Sequence, residues 1–580
     1  MLMQQVDLGK NVGIAKEEKK RDFTITKQDF FNIVVIMLLY GILSFINLGS
    51  TTNPQTFWYA QDNSTDAVID LGNTVDVSYM RVYTGARFGN YKISASYDGV
   101  NYAQIAEYQQ NSVFFWNDIP INTNCRYICI TPDENSPGVI GEVLFVDNNN
   151  NIIEAIPNSD TARLITDERK TVPEKISYKN CTYFDEIYHA RTAYEFVHGL
   201  DVYEWTHPHL GKLIMSIPIR LGGMTPFNYR LLGNIAGILM LLVIYIFAKR
   251  MCGRTRYATL AAVLFAADGM HFVQTRIATV DSYLVLFIML SFLFMYQYMC
   301  CDPEKDYKKM HWNLLFSGIF FGCASATKWN GIYSSIALAI VFFIHFFSKQ
   351  SKQKLNDTWK SKRMGIFWAC FLYFIFIPFA IYYTAYLPHM QIHPSDSGLK
   401  GLWDLQLRMF NYHKGVEGSG HPFASMWYQW PIGMKPLWYY DGQVPQGTVS
   451  SIVLHSNPIL WWTGDIAMLY VLVKGIVKKN KNQFLLIFAI LALYLPNTGI
   501  GREMFLYHYF PVIPFMILCI VQLIEDLEDR FDTKNISVVY AAIILLVFGF
   551  FYPVYSGLEI PLKYAQKMLW FKGWTLFRNW

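Results

Sequence analysis

Two adjacent carboxylates, Asp185 and Glu186, stand in the segment YFDEIYHARTAYEFVHGLDVYEWTHPHLGKL and are the first candidates for proton transfer. Acids at a helix start cap it and complement its dipole, so the pair alone has a structural explanation. Its company suggests chemistry. Arg276 and Asp281 in QTRIATVDSY, Lys328 in SATKWNG, His421 in HPFASMWYQWP, and Arg502 with His508 in GREMFLYHYFP fall where long apolar runs end. Ionisable residues at membrane depth are costly and generally functional. Acids and cations converging at a membrane surface suit a donor with an anionic leaving group and an acceptor that must lose a proton. A lipid-linked sugar phosphate meets that description: cations stabilise the departing phosphate, and a carboxylate takes the acceptor hydroxyl's proton. There is no GxxxxGK[ST], and no GxGxxG opening a helix, to cradle a soluble nucleotide.

The elements positioning these residues must be membrane helices. Of 580 residues, 53% are hydrophobic and only 16% charged, against about 25% charged in soluble chains. This composition excludes a soluble enzyme, a disordered chain and a coiled coil. A net charge of +5 over the whole length leaves no footprint for nucleic acid. Apolar runs at 29–49, 229–248, 257–272, 280–299, 313–327, 331–348, 364–386, 457–477, 483–496, 505–524 and 536–554 predict about eleven spans. Lys16, Lys19, Lys20, Arg21 and Lys27 precede the first run, which has no small-residue cleavage site after it, so a retained span is expected. Basic loops at 249–256, 305–309, 349–363, 474–481 and 530–534 place those connections and the tail 1–28 in the cytoplasm. The loops 50–228 and 387–456 and the tail 555–580 are then external, at the cell membrane, with spans two to seven in 229–386 and eight to eleven in 457–554.

Residues 52–152 break the apolar pattern with short alternating stretches at 67–71, 78–83, 91–96, 102–107, 126–131 and 141–146. The turn signals between them are Gly89-Asn90, Asp98-Gly99 and Pro132-Asp133. An all-β sandwich is expected, followed by a linker at 153–180 and an external segment at 181–228 that opens with an amphipathic helix. The stretches AVIDLG, YKISASYDGVNYAQIAEY and CRYICITPDENSPGVIGEVLFVD resemble the discoidin jelly-roll family. That resemblance implies a glycan or surface ligand, or a structural spacer.

In order along the chain, YFDEIYHARTA, THPHLGKL, QTRIATVDSY, ATKWNG, HPFASMWYQWP, NPILWW and FLYHYFP resemble the blocks of the protein O-mannosyltransferase family over about residues 180–570. The resemblance implies a C-type glycosyltransferase membrane fold. It implies transfer of mannose from polyprenyl or dolichyl phosphate mannose to Ser or Thr of an acceptor protein, with inversion and no required cofactor. Carried over, Asp185 is the general base and Glu186 organises the acceptor or the site. Arg276 and Lys328 bind the sugar phosphate with Arg502 and His508, while Asp281, His421, His207 and Glu204 are further candidates. The chain departs from the family at His207-Pro208-His209, where many members read His-Pro-Pro. It departs again at Trp205, where many place an acid that Glu204 would replace. The 387–456 loop is too short for the β-trefoil of eukaryotic members, which points to a bacterial-like enzyme.

Other readings stay open. The same fold could move another sugar from a polyprenyl phosphate to a lipid or glycan acceptor, as in related aminoarabinose transferases; a transporter and an anchored adhesin are the rivals of other classes. His207 and His209 have no third partner for a metal. Cys125 and Cys129 are either a local disulfide or two reduced core thiols. Trp427, Trp430, Trp438, Trp461 and Trp462 are expected in an interfacial belt, and EDLEDR at 525–530 in a solvated turn.

Overall fold

The computed structural model describes residues 21–60, 66–302, 305–348, 357–416, 420–478 and 480–577. Lys16, Lys19, Lys20 and most of the basic loop after Ser348 lie outside them. The chain begins with α1 (Lys27–Phe45), started by a reciprocal cap between Thr26 and Asp29. Eight strands follow: β1 (Trp58–Tyr59), β2 (Ala67–Thr84), β3 (Gly89–Ser96), β4 (Ala103–Gln110), β5 (Trp116–Pro132), β6 (Val139–Val146), β7 (Ile152–Ile153) and β8 (Ile156–Pro157).

The strands pair antiparallel in the order β1-β6-β2-β5-β3-β4, with β7 on β6 and β8 on β2. Alternation sends Ile69, Val82, Ile93, Ile128, Ile130 and Phe145 into one core. Two expected strands, 67–71 and 78–83, merge into β2, whose register slips between Asp70 and Val75 and between Val77 and Tyr79. Such bulges let one long strand bend instead of ending. Gly89-Asn90 opens β3 and is no turn, whereas Asp98 accepts from the Val100 and Asn101 amides as expected of a turn. The expected linker belongs partly to this domain, since β8 pairs β2 and Ala162 and Ile165 close its core. Cys125 and Cys129 are free and buried; four strand residues separate them by about 13 Å, beyond disulfide reach.

After the short α2 (Asp160–Leu164) come α3 (Glu186–His198) and α4 (Leu210–Gly222), and then the helical bundle. Its members are α5 (Pro226–Cys252), α6 (Thr255–Ala266), α7 (Gly269–Arg276), α8 (Asp281–Cys300), α9 (Tyr307–Thr327), α10 (Ser334–Ser348), α11 (Asp357–Phe371) and α12 (Ile377–Ile392). Beyond α13 (Gly398–Gly415) and the strands β9 (Leu437–Asp441), β10 (Thr448–Val449) and β11 (Ser451–Leu454) lie α14 (Pro458–Lys478) and α15 (Lys481–Tyr494). The bundle finishes with α16 (Ile513–Phe531) and α17 (Asn535–Ser556), and β12 (Ile560–Pro561) and α18 (Leu562–Met568) follow.

Among the described residues, nine helices are long and apolar enough to cross a membrane, and the protein is a multi-pass membrane protein. The segments Pro226–Cys252, Asp281–Cys300 and Leu506–Phe531 are the most buried, while Lys362–Ile392 is 11% buried and presents Trp368 and Phe376 outward. Apolar side chains exposed on a spanning helix are what lipid contact allows. The expected run 257–272 is not one span: α6 stops at Ala266, and Asp268 starts α7 by accepting from the His271 amide. Residues 525–530 are no loop but the last turns of α16, where Arg256 and Tyr257 bond Glu528 and Arg254 bonds Asp529. The expected C-terminal tail folds back, pairing Ile560–Pro561 with Thr448–Val449. Trp430 and Trp461 are fully buried, their indoles bonded to Ser425 and Asp268, so they are core residues and not a belt.

Candidate functional site

Asp185 occupies the N-cap of α3, yet its side chain makes no capping bond. Phe184 before it adopts φ +48 and stacks on Tyr439 at 4.3 Å. That left-handed residue, uncommon outside glycine, turns the half-buried carboxylate away from the helix amides. The carboxylate has no hydrogen bond or ion pair among the described residues. Burial raises its pKa to about 7; Lys328 opposes the shift, and Asp281 and Glu204 add to it. A carboxylate poised near neutrality is suited to accept a proton during a reaction.

Glu186 is entirely different. It is fully buried, and Arg230 Nε and Nη2 donate to its two oxygens at 2.7 Å each. The amides of Ala278 and Tyr183 donate to the same carboxylate at 3.0 and 3.1 Å. Arg230 also donates to the carbonyls of Leu48, Tyr178 and Cys181. Glu186 therefore ties the start of α3 to α5 and to the segment leaving α1, which places its neighbour.

Lys328, between α9 and the turn Trp329–Tyr333, donates to Asp281 Oδ1 at 2.8 Å and lies 5.0 Å over the Tyr507 ring. Gln274 bridges Asp281 Oδ2 and the Tyr439 hydroxyl. Lys328 lines a cavity of about 680 Å³ together with His207, His413, Arg502 and His508. Arg502 is half-buried there and has no ion pair among the described residues. Several candidates separated by up to three hundred residues thus meet at one cation-rich pocket.

Glu204 holds the wall of that pocket. His207 Nδ1 lies 3.0 Å from Glu204 Oε1, and buried Lys212 donates to Glu204 Oε2 and to the Glu204 and His207 carbonyls. Burial opposes ionisation of Glu204, but Lys212 and His207 hold its carboxyl well below the usual range. Glu204, beside Trp205 in the chain, thus contacts His207 directly. His209 shares no site with His207; it is buried against Phe196, Tyr386 and His389.

Arg276, expected on the sugar phosphate, and His421, a further candidate, do not line that pocket. Arg276 donates to the carbonyls of Ser44, Ile46 and Asn47 and packs on Phe272, capping the end of α1. His421 donates its amide to Glu503 and sets its ring edge-on to Phe505 at 5.0 Å, holding the segment that carries Arg502. Sequence reasoning missed Arg230, Lys212, Tyr439 and His413. Lys212 lies in the noted THPHLGKL block, but nothing in spacing marks its partner eight residues away.

The description "Dolichyl-phosphate-mannose-protein mannosyltransferase" matches residues 220–393, and "C-terminal four TMM region of protein-O-mannosyltransferase" matches 398–574. Together they cover more than half of the chain. The chain belongs to the protein O-mannosyltransferase family. Both matches begin after the Asp185 segment and the β domain. This family member is similar to the polyprenol-phosphate-mannose–protein mannosyltransferase of Mycolicibacterium smegmatis, 22% identical over 67% of this chain and 87% of that one. The protein of the same name from Corynebacterium glutamicum is 22% identical over 63% of this chain and 81% of its own. The Saccharomyces cerevisiae protein O-mannosyltransferase Pmt1-Pmt2 complex bound to the sugar donor superimposes with a TM-score of 0.62 at 13% identity, covering 68% of this chain and 89% of that one. The fold is thus that of the C-type membrane glycosyltransferases.

Proposed function

We propose that this family member transfers mannose from polyprenyl phosphate mannose to Ser or Thr hydroxyls of acceptor proteins, with inversion, at the external face of the cell membrane. The observation that carries the mechanism is the unpaired Asp185 carboxylate within the electric field of Lys328, beside a pocket lined by Lys328 and Arg502. The acceptor oxygen attacks the anomeric carbon as Asp185 takes its proton. The bond from that carbon to the phosphate oxygen breaks, and the departing phosphate gains negative charge. Lys328 and Arg502 stabilise that charge in the pocket, with His207 and His508 on its walls. Glu186 acts as a positioning residue, because its oxygens are already occupied by Arg230 and two amides.

The basic loops support an N-terminus in the cytoplasm and a C-terminus outside, with the β domain on the external side. The test incubates purified protein with polyprenyl phosphate mannose and a threonine peptide, read by mass spectrometry. One added hexose on the hydroxyl is expected. Sugar recovered only on lipid or glycan would overturn the acceptor assignment.

A further inference from the structure

We propose that the β domain and α3 together build an aromatic platform that holds the acceptor polypeptide in extended form as it enters the site. Phe88 in the β2–β3 turn, Tyr203 after α3 and Tyr188 on α3 are exposed by 40%, 42% and 39%. Phe88 and Tyr203 meet edge to face at 6.3 Å, and Tyr203 and Tyr188 lie parallel within 3° at 6.2 Å. Tyr188 is one helical turn from Asp185, whose backbone carbonyl accepts its amide at 3.1 Å. The row of rings therefore runs from the inserted domain to the first turn of α3, whose N-cap residue is Asp185.

The platform is braced from beneath by buried partners. Buried Arg191 lies 3.6 Å from the Tyr203 ring centre and 5.5 Å from that of Phe88, joining the two. Glu195 accepts from Arg191 Nε and from the Tyr203 amide, both at 2.8 Å, and so fixes the stack. The turn carrying Phe88 is held too: a Cβ on Gly89 would come within 2.2 Å of the Gly138 backbone, so only glycine permits that approach. Exposed hydrophobic rings held this firmly mark a binding surface more than a folding core.

The spacing selects the ligand. An extended chain advances about 3.3 Å per residue, which puts alternate side chains on one face roughly 6.6 Å apart. Ring spacings of 6.2 and 6.3 Å match that repeat. The cation within the row is already paired with Glu195, so the surface favours uncharged side chains over acidic ones. Continuity with Asp185 commits the occupant to the acceptor polypeptide, with its Ser or Thr beyond Tyr188.

This inference rests on the transferase reading, and binding separates the two. The probes are a twelve-residue uncharged threonine peptide and a capped threonine dipeptide, with full-length protein in detergent. Phe88→Ala and Tyr203→Ala should each weaken binding of the long peptide and raise its KM roughly tenfold. Phe88→Trp and Tyr203→Phe should restore both, and kcat/KM for the dipeptide should change less than twofold. Equal loss for both acceptors, or no change for either, would overturn the platform. So would loss confined to a premannosylated peptide, which would make it a glycan site. Long-peptide binding that needs Phe88 but yields no transfer would keep the platform and overturn the transferase reading.

Discussion

Lys328 Nζ stands 2.8 Å from Asp281 Oδ1, so one cation of the pocket is paired with a carboxylate. Both groups act on Asp185, Lys328 lowering and Asp281 raising its pKa. In the proposed mechanism the pair both tunes the base and receives the leaving group. Asp281→Asn removes one like charge from the field at Asp185, and the acidic limb of the pH–rate profile should move to lower pH. Kinetics from pH 5 to 9 test this; an unmoved limb would contradict the coupling.

Asp185→Asn should lower transfer by about 10²- to 10⁴-fold, the range of general-base catalysis. Donor binding should stay within a few fold, since Asp185 makes no ion pair with the cations of the pocket. Near-normal turnover would remove Asp185 from the mechanism.

In the wild type, kcat/KM should rise with pH to a plateau above about 7, because the base must be ionised and burial pushes the Asp185 carboxyl up to about 7. The stability sign is the opposite. The folded state holds the proton more tightly than the unfolded chain, so this group's contribution is favourable at low pH and is lost as pH rises from about 4 through 7. Asp185→Asn should therefore raise Tm at pH 8 and leave it nearly unchanged at pH 4. A fall at pH 8 would refute that assignment.

Glu186→Ala leaves Arg230 buried without its partner. Breaking such a pair costs about 3–5 kcal/mol, so the variant should show a large loss of thermal stability together with lost activity. A folded Glu186→Ala protein defective only in kcat would instead give Glu186 a direct chemical role.

Arg276 and Arg502 separate capping from donor binding. Arg276→Ala frees three carbonyls at the end of α1 and should lower Tm with donor KM changed less than twofold. Arg502→Ala should raise donor KM roughly tenfold at unchanged Tm, the loss of one charge-assisted contact to phosphate. The reverse pattern would exchange their roles.

Much of the bundle was legible because membrane helices must satisfy their own backbone and show long apolar runs. The alternation of residues 67–146 likewise exposed a sheet domain. The break at Asp268 was hidden because Gly269, Met270 and Phe272 continue the apolar pattern, and only the bonds from Asp268 to His271 and Trp461 explain it. The long β2 was hidden because a bulge resembles a turn in sequence.

The family blocks, the membrane character and the pool of ionisable residues can be read from the chain alone, since each depends on residue type and local spacing. Which of them face the same pocket depends on the three-dimensional packing of helices far apart in the chain. Asp185 and Glu186 are adjacent acids in the chain, yet among the described residues one is unpaired and the other clasped by Arg230. Arg276 and Arg502 both end apolar runs, yet one caps α1 and the other lines the cavity. Burial and charge pairing are set by residues distant in the chain, and these govern whether an ionisable side chain can reach a substrate.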